Sequence, residues 1–293
     1  VTSADALRRA GAAVLAAAGV ESAAHDAAEL LAHVLDVEPG RLLLVDDVDG
    51  AARERYDAAL DRRAAREPLQ HITGHAYFAG LDLAVGPGVF VPRPETELIV
   101  AWAVGVAAGR AVRVADLCSG SGALALGVAR HAPTAHVTAV ERSPEAFEYL
   151  TRNIAATGRG VHAVLADVTD AAAMARELGA CDVIVSNPPY VPAASPVSPE
   201  VAHDPYDAVF SGEDGMDVIG AMIPIVADAL VGGGAFAVEH DDETSDAVVT
   251  ALRADGRFDR VEPHTDLAGR PRFVTAFRRG EPGVVADRAR MER

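Results

Sequence analysis

The sequence predicts an α/β fold: a doubly wound sheet preceded by a small helical domain and a short β-hairpin. Three observations carry that expectation. Residues 1–70 hold apolar side chains at helical spacing. From Arg113 onward, short branched runs alternate with helix-length segments. One of those runs, Val183-Ile184-Val185, ends at Ser186-Asn187-Pro188-Pro189-Tyr190, where two prolines must stop a buried strand.

The elements follow in order. A first helix over residues 3–18 places Leu7, Ala10, Val14, Leu15 and Ala18 on one side, with Thr2 or Ser3 as N-cap and Gly19 as the stop. Ser22 caps a second helix, whose Ala27, Leu30, Leu31, Val34 and Leu35 form one stripe before Pro39-Gly40. A third, from about Ala51 to Arg66, sets Tyr56, Leu60 and Ala64 opposite its charges. After Pro68 the texture changes. Tyr77, Phe78, Leu81, Leu83, Val85, Val89, Phe90 and Val91, broken by Gly80 and Gly86-Pro87-Gly88, predict a hairpin. Pro94 and Glu95 then open the helix of Leu98, Ile99, Trp102 and Val106. The expected domains are 1–70 (helical), 71–92 (hairpin linker), 93–279 (α/β) and 280–293 (a mobile tail).

In the α/β part, Val112–Leu117 is a strand, and Cys118-Ser119-Gly120-Ser121-Gly122 is a tight turn opening the helix Ala123–Arg130. Its glycines let backbone approach a ligand, and the helix start offers free N–H groups. Strands His136–Val140 and Val161–Leu165 lead into Glu141 and Asp167. Beyond the Asn-Pro-Pro-Tyr run come a proline-rich loop (194–205), a helix over Val218–Leu230, a turn at Gly232-Gly233-Gly234, a strand Ala235–Glu239 and a last strand Arg272–Phe277.

Asp116, Glu141, Asp167 and Asn187 thus fall at four strand ends on one sheet edge, the edge where open α/β sheets bind ligands. An acid after the second strand suits both hydroxyls of an adenosine ribose, and Asp167 suits an adenine amino group. The turn lacks the third glycine of a dinucleotide fingerprint, and no Lys-Ser/Thr follows it. A nucleoside therefore fits better than a di- or triphosphate. At the fourth strand end, the Asn187 side-chain carbonyl and the Pro188 backbone carbonyl can converge on one planar NH2 group, with Tyr190 as a flat face beside it. The nucleoside that brings an electrophile to an NH2 group is S-adenosylmethionine.

Composition narrows the partner. The 293 residues contain 43 acids against 26 basic residues, all arginine, for a formal charge of −17. Phosphate neutralisation drives nucleic-acid binding, so this balance favours a protein partner over a nucleic acid. Cys118 and Cys181 give neither a metal spacing nor a disulfide framework. With no apolar run long enough to span a bilayer, a soluble protein of the reducing cytoplasm is expected, with no membrane partner.

Four segments carry a family resemblance: Pro68–Gly74 (Pro-Leu-Gln-His-Ile-Thr-Gly), Val91–Glu97 (Val-Pro-Arg-Pro-Glu-Thr-Glu), Asp116–Gly122 and Val185–Tyr190. On these, and over nearly its whole length, the chain resembles the HemK/PrmC family of protein-(glutamine-N5) methyltransferases. Asn-Pro-Pro-Tyr alone is shared with amino-directed DNA and RNA methyltransferases, whereas the Pro-Arg-Pro-Glu-Thr-Glu segment is far more specific. The resemblance implies a Rossmann-like class I S-adenosylmethionine-dependent methyltransferase domain. It also implies methylation of the glutamine in the Gly-Gly-Gln loop of class I peptide chain release factors, with the helical domain helping to dock that partner.

Carried over by position, Cys118, Ser119, Gly120, Ser121 and Gly122 would line the methionine part of the cofactor, with Asp116 among its contacts. Glu141 would hold the ribose, and Asp167 and Val168 would flank the adenine. Asn187, Pro188, Pro189 and Tyr190 would hold the glutamine amide, Asn187 also bordering the cofactor; Arg93 and Glu95 would meet the substrate. Cys118 stands where relatives often have glycine, Glu141 where they often have Asp, and Val168 is a smaller wall than the aromatic residue of some relatives. Rival substrates with the same chemistry are a glutamine of a large-subunit ribosomal protein and, from another class, an adenine or guanine amino group of nucleic acid.

Overall fold

The computed structural model describes residues 3–280, which fall into two compact units. Of the tail expected at 280–293, residues 281–293 lie outside the described residues.

The first unit holds the chain up to His75 together with 85–87 and 197–204. Its helices are α1 (Ala4–Ala17), α2 (Ala23–Leu35), α3 (Gly50–Ala64) and the short α4 (Leu69–Thr73), with a 3-10 turn at Pro39–Leu44. Ser3 caps α1, its hydroxyl accepting from the Ala6 amide at 3.2 Å. The buried face of α1 is Ala4, Leu7, Gly11 and Leu15; Ala10 and Val14, expected in the stripe, are exposed. The reason is Tyr56 of α3. Its ring lies so close to Gly11 that a Cβ there would meet the Tyr56 hydroxyl at 2.1 Å, so glycine, not the neighbouring alanine, marks the contact face.

The Tyr56 hydroxyl donates to the Ala27 carbonyl at 3.0 Å, and burial pushes its pKa up to about 12. Ser22 does not cap α2 through its side chain: at φ −90° and ψ 27° its backbone is outside the extended region of a capping residue, and its hydroxyl donates to Asp26 at 2.8 Å. Asp26 is a buried carboxylate paired with the buried Arg63 at 2.7 Å. Arg63 and Arg66 also hold Glu200, at 3.1 and 2.7 Å. This explains why 197–204, distant in sequence, belongs to the helical unit.

The second unit opens with a hairpin of β1 (His75–Phe78) and β2 (Leu81–Ala84). Ala79 and Gly80 at its tip have φ of 49° and 74°, as a type I′ turn requires. Val89–Val91, expected with the hairpin, lie outside any strand. The remaining elements are α5 (Glu97–Ala107), β3 (Arg113–Leu117), α6 (Ala123–His131), β4 (His136–Glu141), α7 (Pro144–Thr157), β5 (Val161–Leu165), α8 (Ala171–Glu177) and β6 (Cys181–Ser186). They are followed by α9 (Tyr206–Val209), α10 (Asp217–Ala229), β7 (Leu230–Glu239), α11 (Ser245–Asp255), β8 (Phe258–Thr265) and β9 (Pro271–Arg278).

The seven strands pair in the order β5-β4-β3-β6-β7-β9-β8. Strands β5 through β7 are parallel, and β9 enters antiparallel to β7 and β8. The expected turn at Gly232–Gly234 is a bulge within β7: Cys181 pairs with Leu230 but Val183 with Ala235, so the intervening residues are pushed out of the ladder. Alternate residues of β6 enter different cores, Ile184 one and Val183 and Val185 the other. A strand buried on both faces reads as the unbroken apolar run seen in the sequence. Because β3 and β6 are neighbours while β4 and β7 lie outward of them, the chain reverses direction across the sheet between β3 and β6. A crevice opens at the carboxyl ends of such a pair.

Candidate active site

On the β3 side of that crevice, Cys118 (φ 62°), Gly120 (φ 55°) and Gly122 (φ 88°) give the turn three left-handed residues. Two of them are glycines, for which this conformation carries no Cβ clash; Cys118 is not. At Gly122 the packing also demands glycine, since a Cβ would stand 2.7 Å from Leu150. The turn is closed by hydrogen bonds from the Ser119 amide to the Val140 carbonyl (2.9 Å) and from the Gly122 amide to the Ser119 carbonyl (2.8 Å). Buried Asn153 of α7 clips it from outside: its Nδ2 donates to the carbonyls of Ser121 (2.9 Å) and Ala84 (3.0 Å), while its Oδ1 accepts from the Ala84 amide (2.7 Å).

Asp116 lies beneath the turn with no exposed surface. Its Oδ2 accepts from the Ala125 amide at 3.0 Å, but Oδ1 has no hydrogen-bond partner among the described residues. Burial raises its pKa to about 7, against the pull of that amide and of the Ser119 hydroxyl, and the charge of Glu141 adds to the rise. A buried acceptor left open at a glycine turn is a place for a cation. Glu141 binds the turn directly, Oε2 accepting from the Gly120 amide (2.8 Å) and Oε1 from the amides of Arg142 (2.8 Å) and Ser143 (2.7 Å). Burial works against ionised Asp167, yet the Thr169 hydroxyl and amide, donating to Oδ1 at 2.7 and 2.8 Å, hold it below the usual carboxylate range. Val168 is buried and joins the hydrophobic cluster that includes Val140 and Met174.

On the β6 side stands the Asn-Pro-Pro-Tyr corner. Leu117 and Ser186 are register partners, and the Ser186 hydroxyl donates to the Leu117 carbonyl at 2.6 Å. Cys118 and Asn187, the next residue of each strand, therefore leave the sheet side by side. Asn187 is half-buried, and its Nδ2 donates to the Thr96 hydroxyl at 3.3 Å. Pro188 and Pro189 are buried. The Tyr190 hydroxyl donates to Glu239 Oε1 at 3.0 Å, and burial with that carboxylate keeps its pKa well above the usual phenol range. The backbone after the corner is held by hydrogen bonds from the amides of Tyr190 and Val191 to the Val209 carbonyl (3.2 and 2.9 Å).

The charge of Glu95 bears on Tyr190 and Glu239, so it lies near the corner; the Arg93 guanidinium sits 4.8 Å over the Phe90 ring. Thr96, Glu239 and Asn153 were not anticipated. Glu239 carried the same signal as the other acids, a carboxylate ending a strand, and Asn153 is a polar residue on the helix face of Ala146 and Leu150. Thr96 stands in the Pro-Arg-Pro-Glu-Thr-Glu segment, but nothing in the sequence signals its contact with Asn187, which only folding makes.

Two family models match, the PrmC N-terminal domain over residues 6–74 and the methyltransferase small domain over 98–204. A release factor glutamine methyltransferase of Mycolicibacterium smegmatis is 50% identical over 267 residues, covering 91% of this chain and 94% of that protein. The chain belongs to the release factor glutamine methyltransferase family. Another member, from Corynebacterium glutamicum, is 46% identical over 280 residues, covering 94% of this chain and 99% of its own length. Among solved structures, a T. thermophilus 16S rRNA N2 G1207 methyltransferase in complex with AdoMet and guanosine matches 70% of this chain and 50% of its own. At a TM-score of 0.52 and 23% identity, it shows the shared Rossmann-like class I methyltransferase fold. No helix among the described residues is long and apolar enough to cross a membrane.

Proposed function

We propose that this chain transfers a methyl group from S-adenosylmethionine to the side-chain amide nitrogen of the glutamine in the Gly-Gly-Gln motif of class I peptide chain release factors, in the cytoplasm. The observation that carries this reading is the register of β3 and β6, which sets the Asn187 corner beside the glycine turn in a chain of this family. The residues fit the cofactor. Asp116, with its open Oδ1, would pair with its ammonium; residues 118–122 would cradle the methionine part; Glu141 would face the ribose, and Asp167 with Val168 the adenine. Bound there, S-adenosylmethionine supplies an electrophilic methyl group on a sulfonium.

The chain's own part is to hold and polarise the amide. An amide nitrogen is a poor nucleophile because its lone pair is delocalised into the carbonyl. Asn187 Oδ1 and the Pro188 carbonyl accept from its two N–H groups, which fixes the amide plane so that the lone pair perpendicular to it faces the methyl group, and stabilises positive charge as it grows on nitrogen. Pro188 and Pro189 fix the backbone so that neither acceptor must reorganise. No base is needed beforehand, since the alkylated nitrogen is acidic enough to lose its proton to water afterwards. Arg93 and Glu95 would meet the flanking peptide.

Asn187→Ala should lower kcat at least about a hundredfold while leaving cofactor affinity within about twofold, because only the substrate acceptor is lost. Mass spectrometry of a release factor incubated with enzyme and cofactor should show one added methyl on the Gly-Gly-Gln glutamine. Methylation of a ribosomal protein or an RNA in parallel incubations, with the release factor unmodified, would refute the substrate assignment.

A further inference from the structure

Asparagine has two nearly isosteric ends, and only its carbonyl end can accept from a substrate NH2; turned over, it would present a donor to a donor. Something must choose. Asn187 Nδ2 meets the hydroxyl of buried Thr96, a residue of the turn Pro94–Thr96 ahead of α5. A hydroxyl has one proton and can also accept, so the orientation of Asn187 depends on where the Thr96 proton goes. The carboxylate that draws it is Glu239, the buried end of β7, which accepts the Tyr190 hydroxyl at 3.0 Å and whose ionised form the Thr96 hydroxyl also favours. With its proton spent there, Thr96 offers Asn187 only a lone pair, which only the NH2 end can meet.

We propose that Glu239 and Thr96 are positioning residues that, through a fixed direction of hydrogen bonding, turn the carbonyl of Asn187 toward the substrate amide. The proposal rests on the methyl-transfer reading above and adds two residues to it. A protonated Glu239 would donate to Thr96, free the Thr96 proton for Asn187 Oδ1, and reverse the amide. The charged and titratable groups around Glu239 include Tyr190 after β6, Glu95 before α5, the buried His240 that follows it, and Arg272 of β9, which is itself held by Asp266 at 3.1 Å. Burial raises Glu239 to about 7, against the hydrogen bonds of Thr96 and Tyr190 and the charge of Arg272; Glu95 adds to the rise. The relay therefore runs in the productive direction above neutrality and is reversed as the pH falls below it.

The test measures kcat at saturating cofactor and release factor between pH 5.5 and 9, on the full chain. Wild type should show an acid limb with an apparent pKa of about 7. Thr96→Val, which keeps the shape and removes the hydroxyl, should lower kcat about tenfold or more with cofactor affinity unchanged, and Thr96→Ser should restore it. Glu239→Gln needs its one carbonyl for the Tyr190 hydroxyl and so presents NH2 to Thr96; its kcat should be low and lack the acid limb. A readout free of substrate keeps the proposal separate from the reaction assignment: the Asn187 side-chain NH2 protons, assigned by nuclear magnetic resonance against Asn187→Ala, should exchange with solvent faster in Thr96→Val than in wild type. Thr96→Val with wild-type kcat and exchange, or Glu239→Gln with the acid limb intact, would overturn the relay while leaving the methyltransferase assignment standing. A wild-type enzyme that leaves the release factor unmodified would refute that assignment instead.

Discussion

Asp116 and Cys118 show how single residues of the turn are tuned. An aspartate at pKa about 7 holds its proton in the ligand-free protein below neutrality, whereas a cationic partner requires the ionised form. Cofactor binding should therefore release a proton below pH 7, and affinity should fall by up to about tenfold per pH unit on further acidification. Calorimetry in two buffers of different ionisation heat would show the proton; Asp116→Asn should abolish it and weaken binding by about 2–4 kcal/mol. Cys118 is a different case. At φ 62° any side chain costs about 1–2 kcal/mol relative to glycine, and a β-branched one costs more. In denaturant titrations Cys118→Gly should stay within about 1 kcal/mol of wild type, lost thiol packing offsetting relieved strain, while Cys118→Val should lose about 2 kcal/mol or more. Equal stabilities for the two variants would show that the conformation is not the governing factor.

Elements matter here through what they lock together. Helix α7 forms because Pro144 starts it behind the Ser143 cap and its face of Ala146, Leu150 and Asn153 is buried. Through Asn153 the same helix ties the turn after β3 to the end of β2. Truncating Asn153 to alanine removes three hydrogen bonds and strands their backbone partners, a cost of about 2–4 kcal/mol. Urea unfolding would measure that cost, and hydrogen exchange should be faster at the Ala84 amide than at amides of β4. Unchanged Ala84 exchange would mean that the hairpin is held by its own apolar residues, Phe78, Leu81 and Leu83, alone.

For the whole molecule, charge and connectivity set the terms. A chain carrying −17 repels polyphosphate, so added ribosomal RNA should leave the rate of methyl transfer unchanged at about 0.1 M salt. Inhibition that disappears as salt rises would instead reveal a local basic surface. Much of this was written in the linear chain. The 3.6-residue stripe identified helices and short branched apolar runs identified strands, because burial on one face imposes the first pattern and burial on both faces the second. Acids or an amide at four strand ends marked one sheet edge, because parallel strands must all end there. Two of the misreadings share a physical source. Ala10 and Val14 lost the core face to Gly11 because Tyr56 comes from another helix, and the glycine run of β7 became a bulge because its neighbour β6 dictated the register.

Local order alone thus marked many of the strands and helices, though not α7, α8, α11 or β8, and the residue types that stand at the strand tips. It could not say that Thr96 meets Asn187 and Glu239 meets Tyr190, or that Asn153 stitches a hairpin to a turn. Those contacts carry no periodic trace, because each is made once, between residues that only the packed sheet brings within bonding distance.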